Sequence, residues 1–206
     1  DTEEIRGYSE EFLTHASGSR GPEIIDRVCR YWVGLFADRR ENPREDFLTG
    51  LVEANRELGA TDDELANMMF ILTYAGHDST ALGLGNTLLY LAEHPDVQQR
   101  LLDEPKLIPS MIDEILRHET PLHWFPRQLT ADTCLHGQQM KASERVLLLF
   151  ASANRDPEVF DRADEIVIDR RPNRHLAFGA GIHTCPGMAL AKLEIRTAVQ
   201  VVLERI

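Results

Sequence analysis

The stretch Phe178-Gly179-Ala180-Gly181-Ile182-His183-Thr184-Cys185-Pro186-Gly187 holds the residues best suited to chemistry. It places one cysteine, Cys185, at the end of a glycine-rich loop, directly before a helical pattern. In that pattern Met188, Leu190, Leu193, Val199, Val202 and Leu203 recur at roughly helical spacing. Pro186 suits the first position of such a helix, because its missing N–H would be unpaired there and its φ is already helical. A cysteine so placed meets the positive end of the helix dipole and free backbone N–H groups, which favour an anion. The thiolate is the form of cysteine that acts as a nucleophile or metal ligand. A glycine-rich turn before a helix with a buried cysteine is also a common structural arrangement, so the loop by itself leaves both roles open.

Two further groups stand out. Ala75-Gly76-His77-Asp78-Ser79-Thr80 lies inside a long helical pattern. Glycine there costs about 1 kcal/mol against alanine, and Ser and Thr compete for backbone hydrogen bonds, so the helix is locally weak. It is a packing glycine with incidental polar neighbours, or a functional site. Glu114-Ile115-Leu116-Arg117 puts opposite charges three residues apart on one helical face, a pairing common on helix surfaces.

Taken together, these residues resemble the cytochrome P450 family. Phe178 to Gly187 reads Phe-x-x-Gly-x-His-x-Cys-x-Gly, which is similar to the family's haem-binding loop. The resemblance makes Cys185 the thiolate ligand of the iron, whose electron donation favours O–O cleavage. Phe178, Gly179, His183 and Gly187 join it in holding a haem b. Ala75 to Ser79 resembles the oxygen-binding groove, Ala/Gly-Gly-x-Asp/Glu-Thr, where a bulged helix leaves room for dioxygen and an acid and a hydroxyl deliver protons. Those roles fall to Asp78 and Ser79. Serine replaces the usual threonine, and Thr80 could share its part. Glu114 and Arg117 match the structural Glu-x-x-Arg pair, locked by a second arginine, for which Arg170 fits better than Arg171. Arg127, His175 and His183 are implied partners of the haem propionates. Leu72, Ala75, Gly76, Leu122, His123, Trp124 and Phe125 would line the substrate pocket, though Trp124 and Phe125 could equally be core.

Helical patterns must position these residues. Pro22 opens one with Ile25, Val28, Trp32, Leu35 and Phe36 on a face, ended by Asn42-Pro43. A second carries Phe47, Leu48, Leu51 and Val52 and closes at Gly59. Thr61 to Glu64 has the form of a capping box, and the pattern it opens spans 61–94, about 50 Å at 1.5 Å per residue. Apolar nearly all round, that helix should cross the core. Pro95 and Pro109 start further helices, the second (109–120) holding Met111, Ile112, Ile115 and Leu116. From Trp124 to Phe150 the pattern turns to strands, with His136-Gly137 as a turn, and Asn154 to Arg174 is polar and irregular. The fold class is mainly α with minor β: a P450-type helical fold, incomplete, with residues 1–20 unassigned and 1–206 forming part of one domain.

The chain has 206 residues, 43% hydrophobic and 27% charged, with a net charge of −12. That balance suits an ordinary globular protein and argues against general nucleic-acid binding. No apolar run is long enough to span a membrane, and nothing near Asp1 reads as a signal peptide. Three scattered cysteines, Cys29, Cys134 and Cys185, argue for a reducing compartment. From Arg170 to Arg196 five basic residues face one acid, Glu194. That excess is chance and internal use, or a docking face for an acidic partner.

Members of the family are about twice this length, so the chain is a fragment, a truncated product, or a sequence with residues missing. The reading is a cytoplasmic haem-thiolate monooxygenase. It would insert one atom of dioxygen into a small organic substrate, using electrons from a ferredoxin-type partner. The alternatives are a peroxide-driven peroxygenase and a haem-binding protein without turnover. Pro186 has no N–H, so one donor that the family aims at the sulfur cannot exist here.

Overall fold

Prolines and caps set the helix starts. The computed structural model describes residues 2–15 and 20–205, which divide into two compact units, Asp1–Asp78 and Ser79–Ile206. In the first, α1 (Thr2–His15) precedes α2 (Gly21–Glu41), which has Pro22 in its first turn. Ile24, Val28, Trp32 and Phe36 form the buried row of α2 at a spacing of four. The row reaches back from Val28 to Ile24, and Ile25 is only half-buried. Residues 16–19, within the unassigned start, lie outside the described residues.

Helix α3 (Phe47–Leu58) is capped by Asp46, whose carboxylate accepts the Thr49 N–H at 2.9 Å. That bond, followed by Arg39 Nε at 2.7 Å, draws the Asp46 carboxyl down to about 2. Gly59, at φ +69°, ends α3 in the left-handed conformation. Phe47 is exposed, and Val52 is the buried apolar residue of α3. The capping box then forms reciprocally: Thr61 N–H donates to Glu64 Oε2 at 2.8 Å and Glu64 N–H to Thr61 Oγ1 at 3.3 Å. It opens α4 (Asp62–Glu93), whose Leu65, Ala66 and Met69 complete the first core.

The second unit contains the rest of α4, α5 (Pro95–Asp103), a 3₁₀ turn at Pro105–Leu107 and α6 (Ile108–His118). Two small antiparallel pairs follow. Strand β1 (Phe125–Gln128) pairs with β4 (Arg145–Leu148), and β2 (Thr133–Leu135) with β3 (Gln138–Met140) through the His136-Gly137 turn. After the short α7 (Phe150–Ala153) the chain is irregular until α8 (Met188–Leu203). The core joins Met111, Ile112, Ile115 and Leu116 of α6 to Ile195, Val199 and Leu203 of α8 and Leu91 of α4. Gly83 makes the crossing close, since a Cβ there would lie 3.0 Å from Leu116 Cδ2 and 3.4 Å from Ile195 Cδ1. The fold class is mainly α with minor β.

Five expectations are corrected. Helix α4 is not buried all round: Ile71, Leu72, Leu82 and Leu89 are exposed. It also runs unbroken through Gly76, where a Cβ would meet nothing within 4 Å. Pro186 precedes the helix instead of opening it: α8 starts at Met188 with Gly187 as its cap. Along α8 the buried row is Ile195, Val199 and Leu203, at a spacing of four, and Leu190 and Leu193 face solvent. The irregular segment is not merely polar, since its Phe160, Ala163 and Ile168 are buried.

Candidate active site

Glu114 on α6 is the hub of a buried ion network. The Arg117 guanidinium meets its carboxylate through two hydrogen bonds, Nε to Oε2 at 2.9 Å and Nη2 to Oε1 at 2.8 Å. Arg170 Nε lies 3.0 Å from both oxygens, and Asn173 Nδ2 and the Val167 N–H also donate. Burial alone would raise the Glu114 carboxyl; the Arg117, Val167 and Arg170 donors outweigh it and hold the group below its ordinary value. Arg117, itself fully buried, also binds the carbonyls of Asn154, Ala163 and Glu165. One ion pair thereby organises the irregular segment that has no secondary structure of its own. Arg171 is exposed.

That segment leads into the cysteine loop. The Gly179 N–H binds the Leu176 carbonyl at 2.9 Å, and the Cys185 N–H binds the Phe178 carbonyl at 2.8 Å, closing the loop on itself. Gly179 has φ +70° and Gly181 φ +61°. A Cβ at Gly179 would lie 2.8 Å from the His183 carbonyl oxygen, so the loop accepts only glycine there. Gly181–His183 forms a 3₁₀ turn. Cys185 is partly exposed, just before α8, and a Cβ at Gly187 would approach its Sγ to 3.8 Å. Ile182, at 97% exposure, and Leu147, Leu149 and Trp124 present further uncovered apolar surface in this unit.

The remaining expected residues lie as follows. Arg127 is on β1, with its guanidinium over the Phe125 ring and Nη1 on the Pro126 carbonyl. His183 is exposed in the 3₁₀ turn. His175 is engaged inside the protein: Nε2 faces Asp113 Oδ1 at 3.4 Å and Nδ1 accepts the Ala177 N–H at 3.2 Å. Leu122, His123, Trp124 and Phe125 are exposed, the His123 carbonyl accepting the Ala151 N–H. In the first unit Leu72, Ala75, Gly76 and Asp78 sit on α4; in the second, Ser79 and Thr80 continue it.

Sequence reasoning missed Asn154, Thr120 and Asp113. Asn154 is fully buried and ties Thr120 Oγ1 to the Leu176 N–H. Its place after an apolar run gave no signal. Asp113, next to Glu114, binds Lys192 Nζ at 2.6 Å. Burial would raise the Asp113 carboxyl, but His175 and Lys192 hold it low. The basic face shrinks accordingly, with Arg170 buried on Glu114 and Lys192 paired with Asp113, which leaves Arg171, Arg174 and Arg196 exposed.

The family model for cytochrome P450 matches residues 34–206. The chain is 37% identical over 185 residues to cytochrome P450-terp of a Pseudomonas species, covering 89% of this chain and 43% of that one. It is 38% identical over 200 residues to cytochrome P450 105C1 of a Streptomyces species, covering 97% and 50%. Among solved structures, P450BioI in complex with an acyl carrier protein carrying hexadec-9Z-enoic acid matches at a TM-score of 0.92 and 30% identity. That match covers 99% of this chain and 55% of the other. The chain thus spans about half the length of these relatives. Among the described residues, no helix is long and apolar enough to cross a membrane.

Proposed function

This chain belongs to the cytochrome P450 family, whose cofactor is a cysteine-ligated haem, and from that premise we propose that it is the cysteine-bearing part of a haem-thiolate monooxygenase. The observation that carries the reading is the cysteine loop. Its own hydrogen bonds and the glycine at 179 hold Cys185 at the mouth of α8, beside the cap residue Gly187. The residues fit the group. The loop offers one sulfur donor, with uncovered apolar side chains in the same unit suited to a macrocycle's face and Arg127 and His183 carrying donors for carboxylates.

When bound, haem would supply the iron chemistry for dioxygen activation and insertion of one oxygen atom into a small organic substrate. Cys185 presents its thiolate. Phe178, Gly179 and Gly187 shape the loop around it. Arg127, His175 and His183 would hold the propionates. Asp78 and Ser79, consecutive on α4, together with Thr80 supply an acid and hydroxyls for proton delivery. Leu122, His123, Trp124 and Phe125 of the second unit would border the substrate, and the family resemblance gives Leu72, Ala75 and Gly76 the same role. Glu114, Arg117 and Arg170 hold the segment that feeds the loop.

A ferredoxin-type donor is supported by the exposed Arg171, Arg174 and Arg196 on an otherwise acidic chain. Three free cysteines suit a reducing, cytoplasmic setting. The decisive test is the reduced carbon monoxide complex of the haem-loaded protein. The strongly red-shifted Soret band of thiolate-bound haem is expected, lost in Cys185→Ala and kept in Cys29→Ala and Cys134→Ala. An unchanged band in Cys185→Ala overturns the assignment.

A further inference from the structure

Asp113, one residue before the hub of the ion network, points its carboxylate the other way, at α8 and the cysteine-loop segment. Its Oδ1 is shared by two donors, Lys192 Nζ at 2.6 Å and His175 Nε2 at 3.4 Å. The His175 side chain is only 6% exposed. Its other nitrogen, Nδ1, accepts the Ala177 N–H, so the network puts the ring proton on Nε2, facing Asp113. The Phe178 ring completes the cluster, 5.9 Å from the His175 ring and 5.4 Å from Lys192 Nζ. One carboxylate thereby ties α6, α8 and the residues directly before Gly179.

We propose that Asp113 is a positioning residue that latches His175 in the cofactor-free protein and hands it over as the haem enters, with Lys192 as the counter-ion that stays behind; this rests on the haem reading above. The hydrogen-bond inventory drives the argument. Neutral His175 has one N–H, and Asp113 holds it. A propionate reaches that N–H only when Asp113 gives it up. Asp113 can do so without being left as an unpaired half-buried charge because Lys192 already sits on the same oxygen at the shorter distance. The exchange conserves protons: the ring keeps its Nε2 proton and changes carboxylates, and Asp113 keeps its ammonium partner. Of the two bonds, the 3.4 Å one is at the long limit for a hydrogen bond, so it is the one that yields.

The test uses the cofactor-free full chain and haemin. Nitrogen-15 NMR of the imidazole should report the Nε2–H tautomer for His175, and haemin should convert its signal to that of a ring bound to a new acceptor. Stopped-flow uptake should be roughly tenfold faster in Asp113→Asn, the equivalent of losing one charge-assisted hydrogen bond from the latched state. In Lys192→Met it should be roughly tenfold slower, because Asp113 then holds His175 alone. Rates moving in the same direction in both variants would mark a merely structural pair and overturn the latch, as would equal rates or an Nδ1–H tautomer. A wild-type chain that takes up no haemin overturns the haem reading itself and the latch with it. Normal uptake with unaltered variants removes the latch alone.

Discussion

The side-chain amide of Asn154 accepts the Leu176 N–H at 2.6 Å through Oδ1 and donates to Thr120 Oγ1 at 2.8 Å through Nδ2, in a fully buried setting. Thr120 follows α6, Asn154 follows α7, and Leu176 leads into the cysteine loop, so one amide joins three segments that share no regular structure. The Asn154 carbonyl is in turn bound by Arg117. Asn154→Ala should cost about 2–4 kcal/mol, from two hydrogen bonds lost and the half-buried Leu176 N–H left without this acceptor. Asn154→Asp keeps that acceptor but buries a charge and loses the donation to Thr120. Urea unfolding of the three proteins checks this, and a cost under about 1 kcal/mol for Asn154→Ala would show the amide replaceable.

Glu114 sets an acid limit on stability. Its folded carboxyl lies below the ordinary value of 4.5. Its contribution is therefore complete above pH 4.5 and is lost as pH falls from there through the depressed folded value. Glu114→Gln should cost about 3–5 kcal/mol at neutral pH, since Arg117 and Arg170 then lose the charge that balances them. It should also flatten the decline of stability below pH 4.5 relative to the wild type. Asp46 and Asp113 share the same sign, so the difference between the two proteins, measured from pH 7 to 3 by denaturant unfolding, isolates Glu114.

Gly179→Ala should disorder the cysteine loop. The substitution forces an L side chain to φ +70° and puts its Cβ 2.8 Å from a backbone oxygen that no side-chain rotation can move. The conformation alone costs about 1–2 kcal/mol, with the contact in addition. Gly85→Ala is the matched control. Gly85 is helical and open, so alanine should stabilise by about 0.5–1 kcal/mol. Thermal melting of both, together with the carbon monoxide spectrum, separates a loop defect from general destabilisation.

Proton delivery along α4 can be read from coupling in the full-length enzyme. Ser79→Ala should keep haem binding yet divert reducing equivalents into hydrogen peroxide, and Asp78→Asn should slow the oxygen-dependent step with a larger solvent isotope effect. Because α4 is helical without a break through Gly76, Ser79 and Thr80 project about 100° apart, and the hydroxyl that matters is the one whose loss uncouples. Disruption by Thr80→Ala alone reassigns the role, and no effect from either removes the relay.

Local chemistry determined a good deal by itself. The capping box at Thr61 and Glu64, the left-handed end at Gly59, the buried face of α6 and the cysteine loop each depend on residues a few positions apart, so their geometry is legible in the text. Arg117 is three positions from Glu114, but its other partners lay 53 to 59 positions away, and only the match to a known motif suggested Arg170. Folding decided what sequence distance hid. Lys192 looks like surface charge in the sequence, but it meets the Asp113 carboxylate of α6 across more than fifty residues. Asn154 and Asp113 carry no pattern at all, because a polar residue earns its place in a core only through the particular donors and acceptors that the fold brings to it. Helix α4 shows the same division. Its period and caps are written in the chain, but which of its apolar residues are covered depends on what packs against it, and a hydrophobic residue alone does not name its partner.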